Sequence, residues 1–116
     1  MKKIAVLCHG GHDCPGKAFV RLTDHGRCEL ALGIEEVLHC FQCSLSALID
    51  VGLGAKTHLA SEFGSCTLSR QPGGVKIMVS EWGGVPYQYL IPLDDFADGL
   101  SRLSEVQKVR SKVSLR

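Results

Sequence analysis

A chain of 116 residues, 45% hydrophobic and 22% charged, has the size of one domain and the composition of an ordinary globular protein, which excludes a disordered or disulfide-dependent chain. Its formal net charge of +1 is unevenly spread: residues 1–101 hold eight Lys/Arg against eleven Asp/Glu, and residues 102–116 hold five against one. That excludes the broad basic face of a dedicated duplex-DNA binder, and basic residues late in a terminal helix are accounted for by its dipole.

Lys2 and Lys3 before Ile4–Leu7 imitate an export signal, but four apolar residues are too few for its hydrophobic region. No apolar run approaches the ~20 residues that span a bilayer. The expectation is a cytoplasmic protein with no membrane partner and with its six cysteines reduced.

Lys3–Cys8 reads as a buried strand leading into a Gly10–Gly16 loop. Gly11-His-Asp-Cys-Pro-Gly16-Lys17-Ala18 nearly spells a phosphate-binding loop. That motif needs a hydroxyl after the lysine for Mg²⁺ and a helix next for the phosphates. Here Ala18 follows, and then the alternation of a strand with one buried face, Ala18-Phe19-Val20-Arg21-Leu22-Thr23. Asp24-His25-Gly26-Arg27 offers turn chemistry, and Cys28–Leu32 returns as the partner strand. From Ile34 the spacing changes. Ile34, Val37, Leu38, Phe41, Leu45, Leu48 and Ile49 fall on one helical stripe, with Glu35 and Glu36 in its first turn and Gly52 and Gly54 as its stop. A helix over this stretch is therefore expected.

Thr57–Phe63 fits a strand or a helical turn, and Ser65–Arg70 a short strand. Gln71-Pro72-Gly73-Gly74 leads into the strand Val75–Ser80, a turn at Glu81–Gly84, and the strand Tyr87–Ile91. Pro92 opens a second helix striped by Leu93, Phe96, Ala97, Leu100, Leu103 and Val106. Cys14–Arg27 overlays Gln71–Gly84 without a gap, with Pro15/Pro72, Gly16/Gly73 and Gly26/Gly83 identical. The reading is a single α+β domain over 1–116 with repeat-like halves at 3–52 and 57–110. It holds one antiparallel sheet of about six strands, with two helices covering one face.

Cys40-Phe-Gln-Cys43 is a C-x-x-C pair. On the expected helix it lies two turns in, away from the dipole that would activate a redox thiol, and presents both sulfurs on one face. If a metal is bound, Cys40 and Cys43 would join Cys8 and Cys14, with His9 and His12 beside them, in a tetrahedral site. Free cysteines also serve as small core hydrophobes, and no cofactor or metal is expected. No acid–base or nucleophile set has specific spacing, so catalysis is not expected either. On the face opposite the helices, Phe19, Arg21, Lys76, Met78 and Trp82 would share a surface. Such a patch suits a homodimer, and aromatics interleaved with cations also suit single-stranded nucleic acid.

Two tandem units of strands followed by one helix resemble, in element order, the PUR-repeat and Whirly single-strand nucleic-acid-binding domains. The resemblance spans most of the chain and rests on element order alone. It implies single-stranded nucleic acid as a partner and assigns no site residue. The sequence thus points to a binding or assembly module, with nucleic-acid binding and a small Cys/His metal protein as its alternatives.

Overall fold

The structure, a computed structural model, describes residues 4–11, 14–24, 26–62, 64–81, 84 and 86–103. Among the described residues ten elements follow one another: β1 (Ile4–Gly11), β2 (Cys14–Asp24), β3 (Arg27–Ile34), β4 (Val37–Ser44), α1 (Leu45–Gly52), β5 (Thr57–Ser61), β6 (Gly64–Gln71), β7 (Gly74–Glu81), β8 (Tyr87–Pro92) and a second helix, α2, over 93–103. The first four strands form one antiparallel sheet in the order β1-β2-β3-β4, and the last four a second in the order β5-β6-β7-β8. The α+β class and the two helices stand as expected. The single sheet of about six strands is replaced by two sheets of four.

The difference arises between Ile34 and Ser44. Instead of opening a helix, Glu35 and Glu36 both take positive φ (49° and 68°) and make a two-residue turn. β3 and β4 then pair without a slip from Ile34–Val37 to Arg27–Ser44. His39, Phe41 and Cys43 point inward and are buried, so the true period is two once His39 is counted as a core residue. The helix is confined to Leu45–Gly52, where the Ser44 hydroxyl accepts the Ala47 N–H at 3.2 Å and caps it. Thr57–Ser61, open between two readings, is a strand.

Elsewhere the alternation is obeyed. Ala18, Val20 and Leu22 of β2 and Val75, Ile77 and Val79 of β7 are buried, while their neighbours are partly exposed. Inward residues of both sheets join one core with Leu45, Leu48 and Val51 of α1 and Phe96, Leu100 and Leu103 of α2. Burying such side chains is worth roughly 1.5–3 kcal/mol each. The Tyr89 O–H of β8 donates to the Gly33 carbonyl of β3, tying the second sheet to the first. α1 packs on β6 as well as on its own neighbour β4. α2 reaches β1: a β-carbon at Gly99 would lie 2.6 Å from Leu7 Cδ2, so any larger residue there requires the Leu7 side chain to shift.

The sequence overlay equates β2, second in its sheet, with β7, third in the other. It is therefore one strand out of step with the strand order, as hairpin turns alone can cause.

Candidate functional site

The first hairpin brings polar side chains to a cavity that it shares with α2. β1 and β2 pair with irregularities between Val6 and Cys8 and between His9 and Gly11, and Gly10 there takes a φ of 94°. Such bulges turn a strand and redirect its side chains. The expected Gly10–Gly16 loop is thus mostly strand, with residues 12 and 13, and so His12, outside the described set. A cavity of about 450 Å³ opens between this hairpin and α2. Cys8, His9 and Cys14 line one side, and Asp95, Asp98 and Arg102 the other. Cys14 is buried, with its sulfur 3.7 Å from the Leu90 carbonyl, and the Gly10 N–H meets the Cys8 sulfur at 3.4 Å. The cavity places two thiols, an imidazole, two carboxylates and a guanidinium around one space of small-molecule size. A second cavity of about 440 Å³, between α1 and α2, is apolar and lined by Ile49, Leu53, Leu93 and Phe96.

The four cysteines that a metal site would have used are not brought together. Cys40 and Cys43 lie on a strand, three residues apart, and so face opposite ways, where the expected helix would have aligned them. Cys40 is on the outer face opposite Ala31, where burial and the Glu29 carboxylate push its thiol up. Cys43 is inside, opposite Cys28. Among the described residues no group of three His, Cys, Asp or Glu is arranged to hold a metal ion.

The expected binding surface is divided between the sheets. Phe19 and Arg21 stand on the outer face of the first, Lys76 and Met78 on the outer face of the second, and Trp82 lies outside the described residues. On the first sheet the register sets Val6, Phe19, Ala31 and Cys40 in one row across the strands, and Ile4, Arg21, Glu29 and Gln42 in the next. Leu38, opposite Gly33, lies in the row on the other side of the first. Arg21 is ion-paired to Glu29, which also accepts from Gln42 Nε2 at 3.1 Å. The Lys17 ammonium sits 5.8 Å from the centre of the Phe19 ring, within cation–π range. The second sheet's outer face is polar by comparison. Gln88, Met78, Thr67 and His58 form its central row, with Thr67 Oγ1 2.9 Å from His58 Nδ1.

Sequence reasoning overlooked Cys28 and Cys66, both buried. The signal for Cys28 was the turn. With Glu35-Glu36 as the hairpin loop, each residue of β3 faces the one equally far beyond it, which puts Cys28 opposite Cys43.

Comparison of the chain with known protein families, curated proteins and solved structures finds no match. Among the described residues no helix is long and apolar enough to cross a membrane.

Proposed function

We propose that the chain is a non-catalytic binding and assembly module that pairs with a second copy of itself through the outer face of its first sheet. The observation that carries this reading is the apolar content of that face. Ile4 on one edge strand is 53% exposed and Leu38 on the other is 46% exposed, with the partly exposed Val6, Phe19 and Cys40 between them and Ala31 buried beneath. A contiguous apolar patch on a sheet is what a closed two-fold assembly covers. Four strands, three of eight residues and one of eleven, share about 19 by 27 Å of surface, on the order of the area one partner gives to a small specific interface. Arg21 and Glu29 put both signs of charge on the patch, which a two-fold pairing can match.

Light scattering at micromolar concentration is expected to give twice the 12.6 kDa chain mass. Phe19→Glu, and independently Leu38→Glu at the more exposed edge, should halve it with the circular dichroism spectrum unchanged. A wild-type monomer would remove this reading.

A second reading, single-stranded nucleic-acid binding, is favoured by Lys17 over Phe19 on the same open face and by the strands-then-helix order of each half. Stacking of a base on Phe19 with Lys17 and Arg21 near its phosphates is the pattern such proteins use. Arg21 is already paired to Glu29, which weighs against it. Titration with a single-stranded oligonucleotide, followed by fluorescence of the single tryptophan, should stay flat at physiological salt. A saturating, salt-sensitive change that is lost in Phe19→Ala or Trp82→Ala would establish the second reading instead.

A further inference from the structure

The core contains a pair of thiols that neither reading uses. Cys28 of β3 and Cys43 of β4 are direct cross-strand partners, with their sulfurs 3.3 Å apart. In a two-residue hairpin the residues flanking the turn exchange both backbone hydrogen bonds, and every second pair does so thereafter. Ile34–Val37 flanks the turn, and Cys28–Cys43, six steps on in an unbroken ladder, belongs to the same class. Its Cα separation is then about 5.5 Å, in the middle of the range that disulfides span. Side-chain rotation with a slight approach of the two β-carbons would bring the sulfurs from 3.3 Å to the bonded distance of about 2.05 Å.

We propose that Cys28 and Cys43 are an oxidation site: a dithiol that a peroxide-class oxidant converts into a cross-strand disulfide. The two sulfurs are not equivalent. Either thiol can donate to the other, but with Cys28 as the donor the Leu30 N–H and the Arg27 charge act in the same direction, so Cys43 is the more acidic thiol despite its burial and the nearby Glu29 carboxylate. Cys28 is held above the ordinary thiol range by the same hydrogen bond and by burial. Cys43 is also the more reachable: it lies next to the end of β4 and keeps 7% exposure, against 0% for Cys28. It is therefore the attacking group. Its thiolate takes one peroxide oxygen, breaking the O–O bond and forming an S–OH group, and the departing hydroxide is protonated to water. The Cys28 sulfur then attacks the Cys43 sulfur, forming the S–S bond. The hydroxide displaced takes up the Cys28 proton as a second water. Two thiols lose two electrons and the peroxide is reduced to two waters.

The alternative occupant of this chemistry is Cys66, which is buried in the same core and feels the charge of Cys43. Burial pushes its thiol up to about 12, so it stays protonated. It belongs to β6 of the other sheet and has Leu59 and Val79 as its strand partners.

The test uses the full chain, fully reduced, freed of reductant and titrated with hydrogen peroxide. Remaining thiols are alkylated after unfolding, and the protein is then cleaved after Lys, Arg and Glu. A Cys28–Cys43 bond joins the dipeptide Cys28-Glu29 to the fragment Val37–Lys56, a mass found only without reductant. Cys40 shares that fragment, and Cys40→Ser, on the outer face, keeps the product if the assignment is right. The joined species should form before Cys8 or Cys40 loses its reactivity towards alkylation, since the first oxidation step follows thiolate character, which the Cys28 contact favours at Cys43. Loss of Cys8 or Cys40 first, a product that Cys40→Ser abolishes, or a bond from Cys43 to Cys66 would each overturn the proposal.

Discussion

Glu35 and Glu36 occupy backbone conformations that their side chains disfavour. Both lie at positive φ, where a residue other than glycine or asparagine gives up roughly 1–2 kcal/mol. The turn they make is of the kind usually written Asn-Gly, with glycine at the second position. Glu35 has a compensating contact, accepting the Tyr87 O–H at 3.0 Å. Glu36 at the second position takes the larger positive φ of the two, 68°. Glu36→Gly should therefore stabilise the protein by about 1 kcal/mol after glycine's own entropy cost, raising Tm by a few degrees in a thermal melt. An unchanged or lower Tm would show that the turn is not strained at this residue. The pair also explains why the hairpin is hard to see in the sequence. Two adjacent glutamates before an apolar run look like the first turn of a helix, and nothing in their chemistry advertises positive φ.

At the level of elements, what was legible depended on one-sided burial. β2 and β7 each bury one face and expose the other, so Ala18-Val20-Leu22 and Val75-Ile77-Val79 announce themselves by alternation. α2 was legible for the same reason at helical period, with Phe96, Leu100 and Leu103 inside. β4 was not. Val37, Leu38, Phe41 and Leu45 match a helical stripe, but only Phe41 and Leu45 of these are buried, while His39 and Cys43 take the remaining inward places. A histidine in the core breaks any reading based on hydrophobicity, and pairing with β3 outweighs the local spacing. The error reached the candidate site as well. On a helix Cys40 and Cys43 would be neighbours; on a strand they are divided between solvent side and core, and the partner of Cys43 becomes Cys28. Phe19 and Arg21 stand on the outward face of the first sheet, and Lys76 and Met78 on that of the second. Their division between two sheets could not be read from the sequence, because alternation gives a strand its faces and not its sheet.

Taken whole, the molecule is held together by exchanges between its halves. α1 follows the first sheet yet packs on β6 of the second, where the Arg70 guanidinium also donates to the Gly52 carbonyl at 2.8 Å. α2 follows the second sheet yet lies against Ala5 and Leu7 of the first. Each half thus keeps in its own chain the lid that the other needs. Cutting the connection between Leu53 and Lys56 should leave two fragments that each expose an apolar sheet face and neither folds alone. Mixed in equal amounts, they should regain the circular dichroism spectrum and the amide-exchange protection of the intact chain. Native-like protection in either fragment alone would show that the lids are dispensable. The same reciprocity means that two chains opened at this connection could satisfy each other's missing lids as readily as their own, so a population of domain-swapped pairs is the characteristic misassembly this architecture invites.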